Sequence, residues 1–304
     1  MDTASLLRAV KRRARLQLVS LPSSQISEFF EIINETFEND VIPTILSFRE
    51  EYYNHSQIWD TNNETFEIPS DAVGQKVRGL YLLDTNGNRA RPVGFKNLET
   101  SDEYSLYSRL SYFPAVTILD NTLYTPTRGE RIEVMYYRMP NTLVNFDQTS
   151  NASYTTNNAF RVISSTTSTL SLRNPGTLTT ITSKAYDIIS SSYPFRKKGS
   201  LSLTTTAPLG ANPQTATFTG DQPDADDWLF ETGVTGFANI PREMNLYFIL
   251  ACASAILNFN GAAEYTQVEQ EKAKQLDRVK LLLDPRNDGQ PWVLTDSRGF
   301  FDFN

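Results

Sequence analysis

Hydrophobic and polar positions follow two different periods, which divide the chain into a helical beginning, a long β-rich middle and a helical end. Residues 3–18 place Leu7, Val10 and Ala14 on one helical face. After a break at Pro22, a wider apolar stripe recurs at spacings of three and four, which predicts a second amphipathic helix. The stripe consists of Ile26, Phe29, Phe30, Ile33 and Phe37.

The period changes to two between about residues 48 and 144, and this alternation predicts antiparallel strands. The strongest local signal is Asn86-Gly87, which lies between the strand-like runs 77–83 and 89–93. An Asn-Gly pair flanked by such runs is typical of a tight β-hairpin. We therefore expect a small antiparallel sheet here, with a short helix near 98–104.

Residues 145–239 differ in composition, because they are rich in Ser, Thr and Asn. Apolar residues still return at alternate positions, as in Leu170 with Leu172 and Leu201 with Leu203. Polar β-branched residues suit sheets that have a solvated face. This stretch is therefore interpreted as an inserted β-rich module and not as a linker.

The helical pattern resumes at Pro241 and continues in two helices separated by Gly261. The first, which runs through Leu257, is apolar nearly all round, so we expect it to be buried at the centre of the fold. It is shorter than the roughly 20 apolar residues that a membrane span needs. The second helix is expected over 262–283, and the final stretch has no helical period.

These elements predict an α+β fold in which N- and C-terminal helices form one α-helical bundle, with antiparallel β modules inserted between them and an extended C-terminal arm. The helices at the two chain ends are expected to bury their apolar stripes against each other. The predicted segments are the N-terminal helices 1–47, the antiparallel β region 48–144, the Ser/Thr-rich β module 145–239, the C-terminal helices 240–285 and the arm 286–304.

Composition and charge disfavour several classes of function. The chain has 304 residues and a net charge of −7, which disfavours general nucleic-acid binding. Cys252 and His55 are the sole cysteine and histidine, so neither a disulfide nor a Cys/His zinc site can form within the chain. No nucleophile or phosphate-binding motif is present. The acidic residues of 221–227 lack the spacing of a calcium loop and are interpreted as a solvated loop. We expect no enzyme activity, no cofactor and no metal.

Basic side chains are concentrated on the first helix of this acidic protein. Arg8, Lys11, Arg12 and Arg15 lie on the face opposite the apolar stripe. They form either an ordinary solvated helix face or a charged contact face for an acidic partner or for DNA phosphates.

Aromatic residues are the main feature of the C-terminal arm, where Trp292, Phe300, Phe301 and Phe303 occur without helical spacing. One interpretation is a strap that fills grooves on its own subunit. The other is an arm that reaches the portal or a neighbouring ring and inserts these side chains as anchors, since buried aromatics are common interface hot spots.

Several segments together resemble the head-to-tail adaptor family of tailed phages, which is also called tail-tubular-protein-A-like. The resemblance covers about 1–144 and 240–286, and the module at 145–239 departs from it because simpler adaptors are much shorter there. The segments that carry it are Leu6–Ala14, the helix Ile26–Phe37, Ile45–Tyr53, Phe66–Pro69, the strand Arg131–Pro140, and the helices Pro241–Leu283 ended by Asp284-Pro285-Arg286.

The resemblance implies a virion structural protein of the head–tail neck, made in the host cytoplasm. Such subunits form a homo-oligomeric ring, commonly of twelve copies, beneath the portal protein and above the tail or nozzle proteins. Genomic DNA would pass through the channel without sequence-specific binding, and no membrane is involved. The alternatives are a tail nozzle or baseplate component and a host-glycan-binding component of the virion.

Overall fold

The computed structural model of the chain describes residues 1–16, 23–96, 115–125, 128–146, 159–173, 184–204 and 214–283. Strands make up 38% of the described residues. The predicted fold class, an α-helical bundle with inserted β modules, is therefore wrong: the protein is mostly β, with short helices, several sheets and a six-stranded barrel. Apolar residues repeat clearly along the helices, whereas short polar strands show only a weak alternation. The sequence pattern therefore led to an overestimate of the helical content.

The helices come from both ends of the chain and share one apolar core. Asp2 caps the first of them, because its Oδ1 accepts a hydrogen bond from the Ser5 amide at 2.8 Å. The helical elements are α1 (Thr3–Arg13), α2 (Ser23–Thr36), a π turn (Phe37–Val41), α3 (Ile42–Phe48), 3-10 turns at Glu50–Tyr53 and Arg242–Met244, α4 (Asn245–Phe259) and α5 (Tyr265–Leu283).

Helix α4 lies at the centre of this core, as its all-round apolar sequence predicts. Helices α1, α2 and α5 contact it. The predicted stripe of α2 is confirmed, since Phe29, Phe30, Ile33 and Phe37 are all buried in the same core. Among the helices in the described residues, none is long and apolar enough to cross a membrane.

Two four-stranded sheets enclose a second core. One sheet has the order β1-β8-β3-β4 and the other β2-β7-β6-β5. The Asn86-Gly87 hairpin is confirmed between β3 and β4; Gly87 takes a φ of +83°, which glycine adopts without steric cost. The strands are β1 (Asn54–Asp60), β2 (Thr65–Glu67), β3 (Ala72–Leu83), β4 (Arg89–Pro92), β5 (Gly94–Lys96), β6 (Ala115–Leu119), β7 (Thr122–Tyr124) and β8 (Arg131–Arg138).

A closed barrel of six antiparallel strands encloses a third core, within the region predicted to be an inserted module. Alternation directs Leu170, Leu172, Leu201 and Leu203 inward, and their polar neighbours outward. The strand order is β10-β11-β14-β13-β12-β15, which returns to β10. The strands are β10 (Ala159–Ser165), β11 (Thr169–Arg173), β12 (Lys184–Ile189), β13 (Lys197–Thr204), β14 (Gln214–Gly220) and β15 (Trp228–Glu231).

An aromatic cluster joins the barrel to the start of α1. Phe146 lies at its centre, with its ring centroid 4.9–5.3 Å from those of Trp228, Phe230 and Phe237. Gly236 is required beside it, because a Cβ there would overlap the Phe146 ring. The short parallel strands β9 (Thr142–Leu143) and β16 (Val234–Thr235) pair alongside the cluster and complete the junction.

Candidate functional site

A cleft of about 190 Å³ lies where the helical core, the β1–β8 sheet and the barrel meet. The 3-10 turn at Glu50–Tyr53 supplies one wall, and the ends of β1 and β8 supply the second. The hairpin between β12 and β13 supplies the third. Three separately packed units therefore converge on this cleft.

Alternation along two paired strands explains how His55 and Arg138 reach the cleft. His55 shares a strand face with the buried Trp59, and Arg138 shares one with the buried Tyr136. The two strands are antiparallel, with His55 opposite Tyr136. Both polar side chains therefore continue the inner face of the sheet beyond its apolar core and into the cleft.

Positive charge distinguishes the cleft from the rest of this acidic protein. Arg138, Arg196 and Lys197 line it, together with His55, whereas no Asp or Glu lies among the described residues that line it. Arg196 is exposed and lies over the Tyr52 ring, 5.3 Å from the guanidinium carbon to the ring centroid. This cation–π contact fixes the position of a charge that solvent can reach.

The other two cations are held by carboxylates outside the cleft lining. Arg138 Nε lies 3.1 Å from Asp71 Oδ2, and the Arg138 side chain is 18% exposed. Lys197 Nζ lies 2.9 Å from Asp187 Oδ1, and the Lys197 side chain is 17% exposed. A guanidinium has five N–H donors and an ammonium has three, so one carboxylate contact leaves each cation with further donor capacity.

Asp187 is a buried carboxylate beneath the cleft wall formed by the β12–β13 hairpin. Its Oδ1 also accepts a hydrogen bond from Ser200 Oγ at 2.8 Å, and its Oδ2 accepts from Asn141 Nδ2 at 2.7 Å and from the Gly233 amide at 3.0 Å. Burial opposes ionisation of Asp187, but these hydrogen bonds and Lys197 outweigh it and lower its pKa. The carboxylate is thus saturated by its own partners.

His55 reports the electrostatics of the cleft. Its ring makes an edge contact with Tyr136, at 5.4 Å between centroids. Burial lowers the pKa of His55, and the charges of Arg138 and Lys197 lower it further, against a smaller raising effect of Asp71. The neutral imidazole is therefore favoured near neutral pH.

Two tyrosines form the floor beside these cations. Tyr52 and Tyr53 pack edge to face at 5.1 Å, and Tyr53 Oη donates a hydrogen bond to the Asn239 carbonyl at 2.9 Å. Burial raises the pKa of both phenols, and the neighbouring Tyr193 raises it further. Both side chains are neutral at physiological pH, so they add no negative charge to the cleft.

A second, larger groove of about 420 Å³ lies between α2, the π turn, α4 and α5. Three of its charged side chains interact: Lys272 Nζ lies 2.8 Å from Glu269 and 3.5 Å from Asp40. Ser254 Oγ donates to Glu269, and the Tyr247 hydroxyl donates to Asp40 at 2.6 Å. This network fastens α5 to the helical core.

The predicted charged contact face lies at α1 and its C-terminal end, where Arg8, Arg12 and Arg15 are exposed and Lys11 is half-buried. Burial lowers the pKa of Lys11. Arg15, just beyond α1, lies 3.8 Å from Glu264, which directly precedes α5, and its Nη2 donates a hydrogen bond to Gln267 of α5 at 3.4 Å.

The neighbouring Arg13 makes a similar contact, 3.5 Å from Glu271 of α5. Part of the basic charge of α1 therefore binds within the subunit, and the side chains of Arg8 and Arg12 are exposed.

The predicted partner-binding aromatics of the arm, Trp292, Phe300, Phe301 and Phe303, lie outside the described residues, as do the arm 286–304 and the expected helix near 98–104.

In the acidic run at 221–227, Asp221, Asp224 and Asp226 are exposed, as predicted for a solvated loop, and only Asp227 departs from that prediction. Asp227 is 2% exposed and lies 2.8 Å from Lys198 Nζ, and Asp221 accepts a hydrogen bond from the Ser200 amide at 3.0 Å. These carboxylates fix the end of the barrel. Within the described ranges, no group of three or more His, Cys, Asp or Glu side chains is placed to hold a metal ion.

Sequence reasoning missed the cleft because its residues are distant along the chain. The one local signal was the basic run Arg196-Lys197-Lys198 next to Phe195. His55 was noted, but its basic neighbours come from β8 and from the β12–β13 hairpin, and only the fold brings these together.

The sequence matches no protein-family model, and no curated protein matches it significantly.

Proposed function

We propose that this protein is a structural subunit of a tailed-phage particle, a head-to-tail adaptor that forms a ring beneath the portal and extends the DNA channel towards the tail. The resemblance of the terminal segments to adaptors motivates the proposal. The observation that carries it is the joint core of helices from the two chain ends, with the barrel attached to this core through the Phe146 cluster. A mostly β chain with several separately packed units suits a subunit that contacts several neighbours at once.

Exposed apolar side chains support assembly through the end of α5. Leu281 and Leu282 are 78% and 65% exposed in its last turn. Large apolar side chains grouped on a surface commonly mark protein–protein contacts. The proposed arm follows directly after Leu283, so this surface and the arm aromatics would form one continuous interface with the portal or with a neighbouring ring.

Ring formation is the first test. We expect the purified full chain, alone or mixed with portal rings, to give circular assemblies in negative-stain electron microscopy, commonly with twelve subunits. Variants Leu281→Asp and Leu282→Asp should reduce assembly, because a charge cannot be buried at an apolar contact without a large cost. The exposed barrel substitution Ile163→Asp is the matched control, since Ile163 is 43% exposed and remote in sequence. A chain that stays monomeric with portal rings present would refute the proposal.

The arm is tested separately by deleting 287–304. We expect this deletion to abolish portal binding in a pull-down while the circular dichroism spectrum remains that of the full chain. Binding that survives the deletion would remove Trp292, Phe300, Phe301 and Phe303 from the interface while leaving ring formation to be judged on its own.

One observation favours the alternative of a host-glycan-binding virion component: the barrel has a core of its own and a polar outer surface. Binding of the full chain to a glycan array, lost on substitution of exposed barrel residues, would support it. An array with no bound glycan would remove the glycan-binding alternative.

A further inference from the structure

Independently of the ring proposal, we infer that the cleft at the junction of the three units is a binding site for a small oxyanion, a phosphate or a carboxylate group. The inference rests on the convergence of Arg138, Arg196 and Lys197 on one concave surface that contains no described carboxylate.

The volume of the cleft limits the ligand. Pockets for drug-sized molecules enclose roughly 300–1,000 Å³. At about 190 Å³, this cleft admits a single charged group with a small attached body. A DNA duplex cannot enter it, so the recognised chemistry is an individual phosphate or carboxylate group.

The three cations contribute to binding in different ways. Arg138 and Lys197 are largely buried and are oriented by Asp71 and Asp187, so little side-chain freedom is lost when they bind. Arg196 is exposed and lies over Tyr52, where it can close onto the ligand from the solvent side. Arginine and lysine donors to an oxyanion make short, charge-assisted hydrogen bonds.

Carboxylates outside the lining pair with Arg138 and Lys197, but no described carboxylate lines the cleft beside Arg196. Like charges that converge on one cleft repel each other, and burial together with the charges of Arg138 and Lys197 lowers the pKa of His55. Asp187 is saturated and Asp71 lies outside the lining, so neither neutralises Arg196. A bound oxyanion would supply the missing negative charge.

His55 allows the site to be observed directly, because it is the only histidine in the chain. In the full chain labelled with ¹³C-histidine, a nuclear magnetic resonance titration gives one pKa. The groups that face this ring are Arg138, Lys197, Asp71 and Tyr136. Saturating inorganic phosphate or succinate, compared with NaCl at equal ionic strength, should raise the His55 pKa by about one unit, since a nearby anion favours the imidazolium.

The matched variants are Arg196→Gln and Arg242→Gln. Both arginines are exposed and lie over a tyrosine ring, but Arg242 does not line the cleft. Isothermal titration calorimetry should show oxyanion binding weakened about tenfold by Arg196→Gln, as expected for one lost charge-assisted contact, and unchanged by Arg242→Gln.

Comparing the phosphate titration with the succinate titration distinguishes the two chemical classes of oxyanion. A response to phosphate alone assigns a phosphoryl group, and a response to succinate alone assigns a carboxylate. The inference is overturned if neither anion moves the His55 pKa beyond the NaCl reference, or if Arg196→Gln and Arg242→Gln bind equally well.

Discussion

At the scale of single residues, Asp187 shows how the barrel is held to the rest of the molecule. The carboxylate belongs to β12, but its partners include Asn141, which precedes β9, and the amide of Gly233, which precedes β16. A buried charge is tolerated when it is paired and fully hydrogen-bonded, and it becomes costly when a partner or the charge is lost. Asp187 thus ties three parts of the chain to one point.

Asp187→Asn should therefore destabilise the protein by about 3 kcal/mol, because the amide cannot pair with Lys197 and one of its ends would face donors. Urea unfolding at pH 7 measures the loss. The control is Asp226→Asn, which removes an exposed pair with Arg161 and should cost less than about 1 kcal/mol. Equal losses in the two variants would contradict a special role of Asp187.

The pH dependence of stability follows from the same group. The folded state lowers the pKa of Asp187 below its ordinary value, so its contribution is fully present above that ordinary value. The contribution is lost as the pH falls through the lower, folded-state pKa. The free-energy difference between wild type and Asp187→Asn should therefore begin to shrink as the pH falls below about 4, where the unfolded chain binds the proton first, and should vanish only below the lower, folded-state pKa.

At the scale of elements, the sequence pattern predicted those helices and turns that interactions between neighbouring residues determine. The apolar stripe of α2, the buried α4 and the Asn86-Gly87 hairpin were predictable, because spacing and turn chemistry act over a few residues. Closure of the barrel was not, because β10 pairs with β15 far along the chain, and alternation gives strand faces without giving partners. The β content was underestimated for this reason.

The candidate site was unpredictable on the same grounds. Arg138 lies at the end of a strand and Arg196 in a hairpin, and nothing in their sequence context relates one to the other. Only the junction of separate units places them around His55. Sequence identified the basic face of α1 instead, part of which binds α5 within the subunit.

Helix α5 offers a direct test of packing at this scale, since Val279 is fully buried and Leu281 is 78% exposed on the same helix. Val279→Ala should destabilise the protein by about 2 kcal/mol, through lost apolar burial and the cavity left behind. Leu281→Ala should change the free energy of unfolding by less than about 0.5 kcal/mol. Chemical denaturation of the unassembled chain measures both, and equal effects would contradict the observed orientation of α5.

At the scale of the whole molecule, three cores are joined through few contacts. The barrel and the two-sheet unit each enclose their own apolar cluster, and the helices enclose another. The barrel reaches the start of α1 through the Phe146 cluster, where Thr3 Oγ1 also donates a hydrogen bond to the Val144 carbonyl at 2.5 Å. The Phe146 cluster therefore couples the barrel to the helical core.

Phe146→Ala should separate the unfolding of the barrel from that of the helical core. Phe146 is fully buried, so its truncation should cost about 3–5 kcal/mol, and the loss falls on the junction, since the barrel keeps its own interior. Differential scanning calorimetry should show one transition for the wild type and two for the variant. Phe218→Ala, inside the barrel, is the control: it should lower the transition temperature without dividing the transition, because the junction is intact. A single transition in Phe146→Ala, merely moved to lower temperature, would show that the units are coupled by contacts outside this cluster.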